Sequence, residues 1–409
     1  MQYDADIAII GGGLAGLSAA RSLLENPEVR VVVLDPFKSG KNNPTRLTFC
    51  DTLAQYDLLD CALEQYRAFV MITPTGVSSG HRFENPVLAG LNYLAACRKL
   101  EKQYLDPNPN FQLVRRRVTG FEDLGDGIRL TLSSGDQVRA KMAIDASGKV
   151  HLLGNLLGAG PVEVLYSHSL GLMYENCSHS VDDECYFIAG STSYGSGGGW
   201  YYPVENRRAS VGFAIVNDSV RFPAKDLKDN FHRAVAEFQP FAGFLKGARQ
   251  IHYESGTIPV EPLEKMFYDR VLITGDAAGH ATPWMCMGVE PALLNGDLAG
   301  RVARQAFEKG AFGEEALIAF QKQWDSRYRQ AYEGVTKMPL KLWDMPDEVW
   351  DFLIQYDVSR LNAEQLLARM RDNGHTMSKP LTLMRWLMFK AQRKFKTSRR
   401  TESSLGERT

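Results

Sequence analysis

The first apolar segment, Ala5 to Ile10, is broken only by Asp6 and has the length of a buried strand. It meets Gly11-Gly12-Gly13-Leu14-Ala15-Gly16, and Ser18-Ala19-Ala20 then opens a small-residue helical pattern. The order is strand, tight turn, helix. A second β run, Val29 to Leu34, ends in Asp35, and Pro36 to Thr45 reads as a loop. The pattern predicts a helix over Tyr56–Arg67 and a strand over Phe69–Thr73 running into the turn Pro74-Thr75-Gly76. From Val87 to Tyr104 the spacing of Leu88, Leu91, Leu94, Ala95 and Leu100 predicts another helix. Phe111–Val114, Val118–Asp123 and Ile128–Leu132 then read as a short meander, with Gly125-Asp126-Gly127 as its hairpin turn. Met142–Asp145 is a buried strand followed by Ala146-Ser147-Gly148.

From Val162 to about His252 the chain is strand-rich, interrupted by the loop Gly195-Ser196-Gly197-Gly198-Gly199. No strand-to-helix context surrounds those glycines, so they are read as a flexible loop and not as a nucleotide turn. Trp200-Tyr201-Tyr202-Pro203 leads through Glu205-Asn206-Arg207 into Ala209–Ile215, and the alternation gives this sheet either a pocket-lining face or a plain aromatic core. Arg270–Ile273 is a third buried strand, which delivers Thr274-Gly275-Asp276-Ala277-Ala278-Gly279. A helix is predicted from about Val289 to Phe307, and helices continue to the C-terminus, carrying Trp324, Trp343, Trp350 and Trp386.

The glycines at 11, 13 and 16 have the dinucleotide-fold spacing: one for the turn, one for approach of the backbone to a pyrophosphate, one for helix-on-sheet packing. Phosphate oxygens would then face a helix N-terminus, where N–H groups and the dipole favour negative charge. Asp35 lies where an acid bonds a ribose hydroxyl pair. The alternative for the glycines alone is a structural turn; strand, helix, second strand and acid in register favour the nucleotide.

At 409 residues the chain exceeds the usual single core, so at least two intertwined domains are expected. Lys and Arg total 47 against 48 Asp and Glu, a balance that argues against nucleic acid as a partner. The 6 cysteines (Cys50, Cys61, Cys97, Cys177, Cys185 and Cys286) form no CxxC pair and no close ligand cluster with His, so no metal site is expected. That usage fits a reducing, cytoplasmic compartment. The N-terminus enters the first strand directly, without room for a cleaved signal, and no apolar run is long enough to span a bilayer.

Three motifs stand in order: GGGLAG with Asp35, Asp145-Ala146-Ser147-Gly148, and Gly275-Asp276-Ala277-Ala278-Gly279. That order resembles the FAD-dependent superfamily of p-hydroxybenzoate hydroxylase, geranylgeranyl reductases and flavin-dependent halogenases. The resemblance implies an α/β fold: a Rossmann-like FAD-binding domain of glutathione reductase/p-hydroxybenzoate hydroxylase type, an inserted, mostly antiparallel β-sheet substrate domain, and a C-terminal helical region. It divides the chain into 1–48, 88–165 and 262–310 for FAD, 49–87 and 166–261 for substrate, and 311–409 for the helices. It implies that Asp35 holds the adenosine ribose and Asp276 the ribityl chain or pyrophosphate. The helix that begins near Gly288 and Val289 points its N-terminus at the flavin, and Gly11, Gly13, Ala15, Gly16, Arg46 and Gly275 complete the cofactor contacts. Asp145 and Gly148 shape the sheet edge instead. NAD(P)H or another reductant, with room for a redox partner, would supply electrons.

Within the superfamily the stretch around Trp200, Tyr202 and Pro203, followed by Val211-Gly212, is similar to the Tyr-x-Trp-x-Phe-Pro motif of geranylgeranyl reductases, with Gly198 where the first aromatic belongs. Cys50-Asp51 loosely resembles their Cys-Gly-Glu/Asp segment. The Pro-x-x-Gly-x-Gly loop reads Pro283-Trp284-Met285-Cys286-Met287-Gly288, so Cys286 replaces a glycine and thickens a pocket wall. What this implies is reduction of carbon–carbon double bonds in an isoprenoid or other apolar substrate, held by Trp200, Tyr202, Pro203 and Trp284. Cys50, Tyr202 and His280 are the candidate proton donors, each with a structural reading beside the catalytic one. Glu290 is either a cap for the helix or simply an acid in its first turn. The alternatives are a monooxygenase or halogenase acting through a flavin hydroperoxide, a non-redox cyclase of lycopene cyclase type, and a flavin-binding protein without turnover. A tail in which Trp386 and Phe389 alternate with Arg385, Lys390, Arg393 and Lys394 is either a contact with an anionic membrane surface or an ordinary terminal helix.

Overall fold

A computed structural model of the chain describes residues 2–38, 45–158, 165–190, 197–217, 224–337 and 345–371. The basic tail, Trp343 and the first residues of the glycine loop lie outside that set.

The chain opens with β1 (Gln2–Asp4), β2 (Ile7–Ile10), α1 (Leu14–Leu23) and β3 (Val31–Leu34), the strand–turn–helix–strand unit that the glycines mark. Next come β4 (Thr45–Phe49), α2 (Cys50–Gln55), β5 (Ala62–Tyr66), β6 (Ala68–Ile72), β7 (Ser78–Arg82) and β8 (Leu88–Asn92). Two predicted helices are thereby corrected. Asp57 adopts φ +57° and stops the helical path, and Ala62–Tyr66 pairs antiparallel with β8 instead. Leu88–Asn92 is likewise a strand, and only from Tyr93 does α3 (Tyr93–Lys99) form, capped by the Asn92 side chain, which accepts from the Ala95 N–H at 3.1 Å.

Then follow β9 (Phe111–Val114), β10 (Val118–Asp123), β11 (Ile128–Leu132), β12 (Gln137–Ala140), β13 (Met142–Asp145) and α4 (Leu152–Leu156). β9 does not belong to the meander: it pairs parallel with β3. The meander is β10-β11-β12, extended by β1. The strand-rich region supplies β14 (Tyr166–Glu175), β15 (Glu184–Ile188), β16 (Gly199–Val204), β17 (Arg208–Asn217) and β18 (Arg249–Pro259), with α5 (Ala224–Glu237) and α6 (Phe241–Phe244) between the last two strands. These two helices are absent from the expectation. β19 (Phe267–Tyr268), β20 (Val271–Ile273) and α7 (Val289–Lys309) finish the nucleotide fold, and α8 (Glu314–Trp324), α9 (Gln330–Thr336), α10 (Asp347–Tyr356) and α11 (Ala363–Arg371) follow.

The six-stranded sheet has the order β19-β20-β13-β2-β3-β9, parallel except at β19. Its four central strands are apolar runs buried on both faces, as a covered parallel sheet requires. α1 lies against α7 closely enough that a Cβ on Gly296 would stand 2.3 Å from the Ala15 carbonyl oxygen. The second sheet has seven strands, β18-β14-β17-β16-β15-β6-β7. One of its faces, with Leu170, Leu172, Tyr201, Val211 and Phe213, packs on Phe231, Phe238 and Phe241 of the two inserted helices and the turn between them. The opposite face carries Ser167, Ser169, Gly171, Gly212 and Ala214, and it stays open. A third core cluster gathers Leu47, Phe69, Met71, Met285, Trp350, Leu366 and Met370, tying α10 and α11 to the second sheet.

Candidate functional site

At the C-terminal ends of β2, β3 and β20 the backbone forms a cradle. Gly11 has φ +110°, and a Cβ there would lie 2.2 Å from the Ala146 carbonyl oxygen, so the turn admits no side chain. A Cβ on Gly16 would stand 1.9 Å from the Gly11 oxygen, which is what allows α1 to start directly on the strand end. Gly13 caps α1, and Tyr93, missed in the sequence, brings its hydroxyl 3.3 Å from the Leu14 N–H. Asp35 accepts from the Gly12 N–H at 2.6 Å and from the Phe37 N–H at 2.7 Å, which fixes its carboxylate beside the turn. Across the cradle, Gly275 (φ +64°) sets Asp276 in a short turn, and its missing Cβ would lie 2.8 Å from the Ala15 Cβ. Gly288 caps α7, and a Cβ built on it would be 3.5 Å from Asp276 Oδ1. Val289 follows, buried in the first turn. The helix N-termini of α1 and α7, with an acid beside each, thus converge on one space.

This donor set fits FAD: N–H groups at a helix start for the pyrophosphate, Asp35 for a ribose diol, and a second helix N-terminus for the flavin end. Directly after β20, at the edge of the cradle, Thr274 Oγ1 is buried without a partner, as a group awaiting a polar ligand is. Arg46 lies in β4, but its side chain is outside the described set. Asp145 takes the other role expected of it. Fully buried, it accepts from the Ser147 and Leu153 N–H groups at 2.9 and 2.7 Å and organises the sheet edge.

Beside the cradle opens a cleft of about 900 Å³. Its floor is the open face of the second sheet, where strand alternation puts Ser167, Ser169 and Gly171 of β14 next to Ala214 of β17 and Gly256 and Ile258 of β18. Trp200 lies flat across this floor because its partner is glycine: a Cβ on Gly212 would sit 2.0 Å from the indole and one on Gly171 3.0 Å from it. The indole N–H donates to Ser210 Oγ at 3.2 Å, and Tyr202 stacks alongside at 6.2 Å. Trp284, Met285, Cys286, Met287 and Gly288 form the wall that joins cleft to cradle. Cys286 holds φ +52°, so the glycine-like backbone is kept with a side chain in place, at about 1–2 kcal/mol of strain.

The sequence candidates separate here. Trp200, Tyr202 and Trp284 line the cleft. Pro203 does not: β-strand alternation turns it away, and its carbonyl accepts from the Tyr66 hydroxyl at 2.7 Å. Cys50 is not among the lining residues either; its thiol donates to the Leu88 carbonyl at 3.2 Å, and burial pushes its pKa up to about 11. His280 is fully buried behind the cradle, stacked on Trp324 at 5.1 Å, with Nδ1 accepting from the Gly275 N–H at 3.2 Å and Nε2 facing Met266 Sδ. It ties the Gly275 turn to the helices beyond. Glu290 accepts from the Thr52 hydroxyl at 2.7 Å, and burial raises its pKa. Arg371 at the end of α11 reaches both Glu290 and Asp51 and covers the Phe49 ring.

Burial, with a smaller contribution from Arg329, lowers the His280 pKa to about 3. The unfolded imidazole protonates near pH 6.5, so the folded state loses stability as pH falls from there towards 3, by about 2 kcal/mol at pH 5. A His280→Asn protein keeps an acceptor for Gly275 and removes this penalty. Its urea midpoint is expected to lie below wild type at pH 7 and to close about 2 kcal/mol of the gap by pH 5. Parallel pH profiles would remove His280 as the source.

The fold and the cradle define the class: a Rossmann-like α/β fold of the glutathione reductase/p-hydroxybenzoate hydroxylase type, with a cradle that fits FAD. The chain belongs to the lycopene cyclase protein family, whose model matches residues 6–333. It is 26% identical over 235 residues to digeranylgeranylglycerophospholipid reductase 2 of Methanopyrus kandleri, covering 57% of this chain and 57% of that protein, so it spans little more than half of that relative's length. Against digeranylgeranylglycerophospholipid reductase 3 of Methanosphaera stadtmanae it is 23% identical over 395 residues, covering 89% of this chain and 94% of the other. Among solved structures it is similar to a geranylgeranyl bacteriochlorophyll reductase-like protein of Thermoplasma acidophilum (TM-score 0.80, 18% identity, 94% of this chain and 99% of that one). It is also similar to a flavin-dependent brominase (TM-score 0.73, 16% identity, 96% and 100%).

Proposed function

We propose that the protein is an FAD-dependent oxidoreductase that saturates carbon–carbon double bonds of an isoprenoid or another apolar lipid. The observation that carries this reading is the continuity of an aromatic, apolar cleft with the N-terminus of α7, since Gly288 belongs to both. FAD, once bound and reduced by NAD(P)H or another reductant, would supply a hydride, the electron pair together with the first hydrogen. The residues do the rest. Helix α7 offers its dipole to the charge that develops on the reduced cofactor, and the cleft excludes water from the reacting carbons. Trp200 and Trp284 hold the chain, and Tyr202 gives a proton to the carbon that completes the saturation. Burial raises the Tyr202 pKa well above its ordinary value, so the hydroxyl keeps its proton until it is used. The names of the digeranylgeranylglycerophospholipid reductase relatives support the isoprenoid class.

Tyr202→Phe is expected to lower kcat about a hundredfold with KM within a few-fold, because the ring stays and the proton goes. A fall confined to KM would make Tyr202 a packing residue only.

Family membership favours a second reading, reduced-flavin polyene cyclisation. One experiment separates the two: anaerobic incubation of the reduced holoprotein with geranylgeranyl lipids and with a linear polyene, followed by mass spectrometry. Saturation adds one hydrogen molecule per double bond; a cyclised product of unchanged mass sinks the reductase reading. Product carrying oxygen or halogen, in a parallel run with air and halide, would establish the monooxygenase or halogenase alternative instead. Among the described residues no helix is long and apolar enough to cross a membrane.

A further inference from the structure

The cleft does not stop at Trp284. Behind it lies a second, narrower cavity, between Phe69 and Met71 of β6 and Leu361, Leu366 and Met370 in and before α11. Phe187, Trp284 and Met285 line both spaces and are therefore the partition between them. The far walls are carbon and thioether, with one exception, Arg369. That guanidinium is neutralised by Asp357 at 2.6 Å, so no uncompensated charge meets the void. Its methionines, Met71, Met285 and Met370, adapt to irregular apolar guests. Trp284 is steadied edge-on by Trp350 at 6.2 Å and 88°. Trp350 in turn fits only because Gly190 is bare: a Cβ there would lie 2.5 Å from the indole. The main cleft, unlike the cavity behind Trp284, carries polar lining, Ser169, Glu254 and Ser255 among it.

We propose that the two cavities are one channel, in which Trp284 is the partition that sets how long an apolar chain is accepted and the chain's far end comes to rest beneath α11. The inference rests on the apolar-substrate reading above and adds to it an orientation, polar end towards Ser169 and Glu254, and a specificity-determining residue. Each methylene seated in apolar surroundings multiplies affinity about fourfold, so chain length is read directly as a binding constant.

The test titrates the FAD-loaded protein with polyprenyl alcohols of ten, fifteen and twenty carbons by calorimetry. In the wild type, affinity rises with each step. Leu366→Trp and, independently, Met370→Trp fill the far cavity, and in either one the twenty-to-ten affinity ratio is expected to fall about thirtyfold or more. Trp284→Ala removes the partition and raises that ratio about tenfold. Thermal melting and FAD content identify any filled variant that has not folded, and the other variant then decides. An unchanged ratio in a folded filled variant overturns the proposal while leaving the apolar-substrate reading intact. Failure of the wild type to bind any of the three alcohols overturns both.

Discussion

Gly16→Ala is expected to purify without the yellow of bound flavin. The added methyl would stand 1.9 Å from the Gly11 oxygen and 3.2 Å from Ile9 Cγ2, and neither neighbour can retreat: the first is backbone in the turn, the second is buried in the sheet. α1 must therefore lift from β2. The displacement does not stay local, because the Ala15 carbonyl is already packed where a Cβ on Gly296 would fall 2.3 Å away, so α7 is driven off as well. Both helix N-termini that frame the cradle lose their aim. Overpacking of this kind costs about 3 kcal/mol of stability. FAD affinity should fall at least about a hundredfold, a loss of two 1.4 kcal/mol steps. Flavin absorbance per protein after gel filtration, with a fluorescence titration of added FAD, measures it. A Gly16→Ala protein that retains stoichiometric FAD would mean the cradle does not hold the cofactor as described.

Gly212→Val should produce the opposite division: full flavin, no turnover. The new side chain occupies the position of the Trp200 ring, only 2.0 Å away, and expels the indole into the cleft. The floor loses its aromatic platform and the space for the substrate closes. Loss of a large aromatic contact is worth about 3–5 kcal/mol, so kcat/KM on an apolar lipid should drop about a thousandfold. Because β17 belongs to the second sheet and not to the cradle, FAD content is expected to match wild type. If both FAD and activity persist, the cleft over Trp200 is not where the substrate reacts.

The nucleotide fold could be read from the sequence because its signals are local. Gly11 to Gly16, the apolar strand before them and Asp35 after the next strand each act within a few residues, and the motifs at Asp145 and Gly275 repeat the pattern. The error over Tyr56–Arg67 has another origin. Ala62, Leu63, Glu64 and Gln65 are good helix formers, and only pairing with β8, distant in sequence, makes them a strand. The inserted helix α5 left a readable trace, Leu227, Phe231, Ala234 and Phe238 at helical spacing, inside a region dominated by strands. The cleft was half legible. Trp200, Tyr202 and Trp284 stood out as aromatic residues near motifs, whereas Gly171 and Gly212 acquire meaning only once strand register sets them beside an indole. His280 looked available because it follows the Gly275 motif by a few residues, but the turn sends it inward against Trp324.

The strand order of the parallel sheet also has a consequence in time. β13 is flanked by β2 on one side and β20 on the other, so the sheet that frames the cradle is closed by a strand made near Val271 docking on one anchored at Ile10. At roughly 5–20 residues per second the ribosome leaves that gap open for some tens of seconds. Throughout that interval the glycine turn, Asp35 and the first helix exist without their counterparts from the other end of the chain. Holoprotein formation is thus a late event, and flavin supply during expression should govern the yield of holoprotein more than the yield of chain.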